Sequence, residues 1–168
     1  MPLAGRPLAS YPLKALAQVC DRVAVVCKED TSLPELEGAE RWNEPAEPRH
    51  PLTGIIHALE RAGQPVLVCA ADMPYVTADA CRSLIAAPHK AVAVVATADG
   101  RLQPTFAVYA PQALEVLRQA PKNAPLTETV EGLNPTRVAF PPQLVKSINT
   151  REDLEEAERA GALWSAGP

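Results

Sequence analysis

Residues Pro65–Thr77 read PVLVCAADMPYVT, and this stretch decides the fold. Pro65–Ala71 is a short, continuous apolar run, the pattern of a strand buried on both faces. Asp72 follows at once, and Met73-Pro74 forces an extended turn, because the residue before a proline is pushed out of the helical region. Thr77 can cap a helix over Thr77–Ala87, with Pro88 beyond its end. Outward from here the alternation repeats. Upstream, Arg22–Cys27 (RVAVVC) is a second buried run. It is preceded by helical spacing over Tyr11–Val19, with Ser10 as a possible N-cap. Thr53–Ala62 reads as a helix that Gly63 stops. Downstream, Ala91–Ala96 is a third buried run, and Asp99-Gly100 marks a hairpin turn to an antiparallel partner, Gln103–Tyr109. Pro111–Gln119 and Leu126–Glu131 predict helices, and Thr136–Phe140 a short strand. Thr150–Ala160 is a charged helix opened by a Thr150/Asp153 variant of the capping box. Lys28–Pro51, rich in Glu and Pro, is the longest loop-like stretch. Buried strands alternating with helices predict an α/β fold: a three-layer, doubly wound, mostly parallel sheet. Ligands of such sheets sit at the carboxyl ends of the strands, here just after Cys27, Ala71 and Ala96.

Composition bounds the possibilities. A chain of 168 residues, 47% hydrophobic and 21% charged, fits one globular domain over 1–168. A net charge of −4 leaves no strongly basic face and argues against a nucleic-acid partner. No apolar run approaches the roughly 20 residues of a membrane span. The opening MPLAGRPLASYPLK lacks a signal-peptide pattern. Cys20, Cys27, Cys69 and Cys81 form no CxxC pair and read as free thiols of a reducing cytoplasm. His50, His57 and His89 are too scattered to predict a metal site by spacing. No GxSxG, Walker or GxGxxG loop is present.

Four segments can carry chemistry. A carboxylate on a rigid turn at a strand's carboxyl edge, Asp72, is suited to hold a divalent metal against phosphate oxygens. In His50–Glu60 (HPLTGIIHALE), Pro51 fixes the entry to a helix, and Gly54 lets a ligand or backbone come close to its first turn. Gln103-Pro104 interrupts an apolar strand, which suggests an irregular strand entry near a site. Asn149 stands just before the last helix, where its amide can serve a metal, a phosphate or the helix cap.

In order, GRPL (Gly5–Leu8), VAVVC, PLTGIIHAL, VLVCAADMPYV, GRLQPTFAVY and SINTREDLEEAE resemble the nucleotidyltransferase family that includes molybdenum cofactor guanylyltransferase. The resemblance runs over essentially the whole chain. It implies a Rossmann-like nucleotidyltransferase fold, Mg2+ as cofactor, and transfer of a nucleoside monophosphate from an NTP (GTP or CTP) to a molybdopterin-type acceptor, with release of pyrophosphate. Asp72 matches the family's metal-binding aspartate, with Ala71 before it. Asn149 matches the second asparagine of the N-x-N-T-x-E-[DE]-L segment, and Ser147 stands where the first is usual. Both Asp72 and Asn149 are thereby candidate catalytic and metal-binding residues. Pro51, Leu52 and Gly54 match the G-P-L-A-G loop near the base, with His50 and Thr53 replacing glycine and alanine. Gln103 and Pro104 match the segment that faces the acceptor. The guanine-reading aspartate aligns at Asn43, with Glu44 beside it. An amide does not accept two N–H bonds as a carboxylate does, so cytidine or another base stays open.

The family also opens with a strand and a glycine-rich phosphate loop, whereas this sequence starts at the segment that follows them. The expectations are therefore a domain without its first strand, an enzyme or else a non-catalytic nucleotide- or partner-binding module, and a monomer or weak homo-oligomer. An interior strand missing from the sheet leaves Arg22–Cys27 and Pro65–Ala71 with unpaired edges. They are expected to pair with each other directly or to be covered by another chain.

Overall fold

The computed structural model describes residues 2–88, 90–121 and 124–160, so His89 lies outside the described residues. The chain opens with a two-residue hairpin, β1 (Pro2–Leu3) against β2 (Arg6–Pro7), at the rim of the molecule rather than in its sheet. Helix α1 (Ser10–Leu16) follows. Its N-cap is Ala9 and not Ser10, whose hydroxyl donates back to the Pro7 carbonyl instead. β3 (Ala24–Lys28) then pairs in parallel with β4 (Glu40–Glu44), a strand within the stretch expected to be loop. Five residues with one apolar member, Trp42, carry no strand signal of their own. They suffice because β4 hydrogen-bonds on one side only, and edge strands are polar by necessity. Trp42 fastens the edge: its ring lies under the Arg61 guanidinium at 4.9 Å, and its indole N–H donates to Glu40.

Helix α2 (Pro51–Ala62) starts two residues before the expected Thr53. His50 is its N-cap, Nδ1 accepting from the Leu52 N–H, and Gly63 closes it at φ 62. β5 (Val66–Cys69) leads into the Asp72 turn and α3 (Ala78–Ala86), which Thr77 caps through the Ala80 N–H at 3.2 Å. β6 (Ala93–Ala98) turns through Asp99 and Gly100, both at positive φ, into β7 (Arg101–Tyr109). Helices α4 (Ala113–Gln119) and α5 (Leu126–Glu131), strand β8 (Thr136–Ala139) and helix α6 (Arg151–Ala160) complete the chain.

The central sheet has the order β5-β7-β6-β8; β5, β6 and β8 run one way and β7 the other, so the sheet is mostly parallel. Its two faces follow the period of two along each strand. Val94, Ala96, Phe106 and Val108 face α3 and α1, while Ala93, Val95, Ala107 and Tyr109 face α2, α4 and α5. Three layers result. The irregularity expected at Gln103-Pro104 is a bulge: register jumps between Val95 and Ala96, opposite residues 103–107. The carbonyl of Pro104 is satisfied by the Tyr109 hydroxyl at 2.7 Å.

Of the two arrangements expected for these edges, direct pairing is not the one seen. Among the described residues β3 pairs with β4 and β5 with β7, and β3 and β5 do not meet. A cavity of about 1000 Å3 separates them, walled by α1 on one side and α2 on the other. For the same reason Val66–Cys69 is half-buried throughout, not buried on both faces as its composition implies, whereas β6 is buried at every residue. A measurable consequence follows in hydrogen exchange. Amides of β3 and β5 that point into the cavity should exchange at least ~1000-fold faster than those of β6, which is bonded on both sides. Equal protection would show that something closes the gap.

Candidate active site

Lys28, Glu44, Arg49, His50, Asp72 and Ser147 line this cavity toward its carboxyl-end rim. β5 delivers Asp72 there on the turn that Pro74 and the buried Met73 hold rigid. The turn is fixed to its surroundings by two backbone bonds: Ala70 N–H to the Thr105 carbonyl at 2.9 Å, and Ile148 N–H to the Asp72 carbonyl at 2.8 Å. The second bond brings Ser147 beside Asp72, and both line the cavity. Asp72 Oδ1 is buried with no hydrogen-bond partner. Burial pushes its carboxyl above the ordinary carboxylate value; its own backbone N–H and the Ser147 hydroxyl pull less strongly the other way. A buried carboxylate oxygen with no donor is suited to a cation. Among the described residues no cluster of three or more His, Cys, Asp or Glu could hold a metal on its own. The unpartnered Asp72 oxygen at the cavity rim fits an ion that takes one or two carboxylates and completes its shell with water and substrate phosphates, as divalent cations of the Mg2+ kind do.

Across the same rim, β3 ends in Lys28, which is 8% exposed. Its Nζ donates to the Pro45 carbonyl at 2.5 Å and the Pro48 carbonyl at 3.1 Å, and it lies 3.3 Å from Glu44 Oε1. Glu44 Oε2 is buried without a partner. Arg49, His50, Pro51 and Gly54 continue this wall.

Of the residues singled out from sequence, Asp72, Pro51 and Gly54 line the cavity. The others do not. Leu52 points into the core between α2 and the sheet. Asn43 stands on the exposed face of β4, where its Oδ1 accepts from Arg41 Nε at 2.9 Å. Asn149 is exposed, and its backbone N–H donates to Asp153 Oδ2 as part of the α6 cap. Gln103 and Pro104 sit at the bulge, and of their neighbours Thr105 reaches the cavity. Lys28, Glu44 and Ser147 are cavity residues to which sequence reading assigned no role. The signal for Glu44 was strand alternation with Trp42, which required β4 to be known.

A family model, the MobA-like NTP transferase domain, matches residues 1–136. The chain belongs to this family. Membership makes it a nucleotidyltransferase domain of the MobA-like class, on the α/β fold just described. No curated protein matches it by sequence. Among solved structures, the MobA-like chain is similar to molybdopterin-guanine dinucleotide biosynthesis protein A from Archaeoglobus fulgidus, with 21% identity, TM-score 0.75, and 97% of this chain and 89% of that one covered. It is similar to 2-C-methyl-D-erythritol 4-phosphate cytidylyltransferase from Thermus thermophilus, with 19% identity, TM-score 0.73, and 96% and 92% covered. It is also similar to a Mycobacterium tuberculosis protein crystallised as a complex with manganese, with 11% identity, TM-score 0.71, and 95% and 90% covered. At these identities the likeness is one of fold. Among the described residues no helix is long and apolar enough to cross a membrane.

Proposed function

We propose that this domain transfers a nucleoside monophosphate from an NTP, GTP in the first place, to a phosphorylated acceptor of the molybdopterin type. In the reaction an acceptor phosphate oxygen bonds to the α-phosphorus, the bond from that phosphorus to the bridging oxygen breaks, and pyrophosphate leaves. The attacking phosphate monoester is already ionised at neutral pH, so no general base is required. In keeping with this, His50 in the cavity wall accepts from the Leu52 N–H as the cap of α2. What the reaction does require is positioning and charge neutralisation. The observation that carries the reading is the buried, unpartnered Asp72 Oδ1 at the carboxyl end of β5. Asp72 would hold Mg2+, and the ion when bound offsets charge on the α-phosphate and the departing pyrophosphate. Ser147 would steady Asp72 from the chain's last segment, and Pro51 and Gly54 would shape the floor on which the nucleotide lies. Leu52 would support α2 from the core, and Asn149, Asn43, Gln103 and Pro104 would act from outside the cavity wall.

The similar structures include both a molybdopterin-guanine dinucleotide biosynthesis protein and a cytidylyltransferase, which keeps CTP as the alternative donor. The unpaired edges of β3 and β5 favour a second reading: a nucleotide- or partner-binding module on the same fold. Four unpaired thiols suit a reducing compartment such as the cytoplasm, with the chain a monomer or weak homo-oligomer. The test is incubation with Mg2+, each of GTP and CTP, and molybdopterin, following pyrophosphate release. Release with one NTP supports the enzyme. Nucleotide binding without release supports the module, and the absence of both overturns the proposal.

A further inference from the structure

We propose that a second groove, walled by the β1–β2 hairpin, α1 and α3, binds the phosphate of a small organic phosphomonoester. The inference goes beyond nucleotide transfer and does not depend on it.

The groove has a volume of about 610 Å3. Three separate elements each bring one cation to it: Arg6 from β2, Lys14 from the last turn of α1, and Arg82 from α3. Asp79 is the one acid in its lining, and Arg82 already engages it at 2.6 Å. Among the described residues Arg6 and Lys14 pair with no acid. The concavity is therefore positive, although the chain has 20 acidic residues against 16 basic ones. Folding has set a local field of the sign opposite to the net charge.

Exposed cations on an open surface attract little, because water screens them. Here they stand over an apolar, buried floor, made by Ala15 of α1 and by Pro74 and Val76 of the turn that follows Asp72. A low-dielectric wall behind the charges focuses their field into the groove. A neutral donor joins them: Thr77 Oγ1 accepts from the Ala80 N–H and keeps its own hydroxyl proton to give. Ala70, Ala71 and Asp72 line the large cavity instead, so the two sites lie at successive parts of one turn and do not share these residues.

The charge and the volume then select the ligand. Two cations without counter-charges suit a dianion, and a phosphate monoester carries close to two negative charges at neutral pH. The Arg6 fork matches two phosphate oxygens, and the Lys14 ammonium adds a point charge. A phosphate group alone fills a small part of the groove, whose volume lies in the range of small-molecule sites. The organic part of the ester would cover the apolar floor.

The test is calorimetric titration of the full chain, without Mg2+, with phenyl phosphate, inorganic phosphate and benzenesulfonate. The proteins are the wild type, Arg6→Gln and Lys14→Gln singly and together, and Asp72→Asn, with thermal melts as folding controls. Phenyl phosphate should saturate one site on the wild type and bind at least ~10-fold more tightly than the singly charged sulfonate. It should also bind several-fold more tightly than inorganic phosphate, through burial of its ring. Each single variant should weaken it by about threefold or more and the double variant by at least ~10-fold, whereas Asp72→Asn should bind it as the wild type does. Wild-type affinity in the folded Arg6 and Lys14 variants, equal binding of the sulfonate, or no saturation by about 10 mM overturns the site. Inorganic phosphate bound as tightly as the ester overturns the assignment to an organic phosphate. Loss of phenyl phosphate in Asp72→Asn would move the anion to the large cavity, which overturns this inference and leaves nucleotide transfer standing.

Discussion

Replacing Asp72 by asparagine should abolish Mg2+-dependent nucleotide binding and lower transfer by about a hundredfold or more, the scale of losing a preorganised charge at the reacting phosphate. The same change should leave the metal-free protein as stable as before or slightly more so. This second half of the prediction separates a functional carboxylate from a structural one. The folded chain raises the Asp72 pKa above the ordinary 3.8, chiefly because burial disfavours the ionised form. Between that ordinary value and the raised one, the folded state binds more protons than the unfolded state. Stability contributed by this group is therefore present in acid and is lost as pH rises through the raised value. At neutral pH the ionised Asp72 is a cost that asparagine removes. Asp72 is partly exposed, so solvent screening keeps the gain small. Metal binding runs the opposite way: it requires the ionised form, and affinity should fall as pH drops through the same raised value. Calorimetric melts of both proteins without metal, and Mg2+·GTP titrations at several pH values, read the two halves separately. Wild-type Mg2+·GTP affinity in Asp72→Asn would remove this carboxylate from the site.

How much of this could be read in advance depends on how local the deciding physics is. The β6–β7 hairpin was legible because a continuous apolar run meets Asp99-Gly100, whose φ values of 48 and 75 are those a tight hairpin turn demands. The Thr77 cap and the reciprocal Thr150–Asp153 bonds were legible for the same reason, since a cap is settled within four residues. Asp72 stood out because strand end, carboxylate and proline are contiguous. β4 was not legible: ERWNE holds its place through one ladder with β3 and a tryptophan against α2, and neither partner is visible from within the segment. That omission left the inward face of β4 unassigned. In a strand, one residue of slip exchanges the faces, so without β4 nothing distinguished Asn43 from Glu44. Ser147 was hidden in a similar way, because a backbone bond from Ile148 to Asp72, distant in sequence, is what carries it to the rim.

The change with the largest effect on stability should be Lys28→Met. Among the described residues Lys28 is the one buried basic residue, and three partners converge on its ammonium: the carbonyls of Pro45 and Pro48 and the carboxylate of Glu44. Methionine fills a similar volume, so the loss is electrostatic rather than a cavity. It leaves Glu44 buried without a counter-charge and two carbonyls without a donor. Breaking a buried pair from one side costs about 3–5 kcal/mol. In a domain of this size that lowers the melting temperature by roughly 6–15 °C. Removing the carboxylate as well tests the cause. In Lys28→Met/Glu44→Leu the uncompensated charge is gone, and buried pairs replaced by apolar residues are often neutral in stability. The double variant should therefore regain most of what the single one loses. A double variant as unstable as Lys28→Met alone would mean that the carbonyl contacts, and not the ion pair, hold residues 45–50 and the start of α2 in place. Lys28 would then act as a tether for the loop, with Glu44 set by its strand alone.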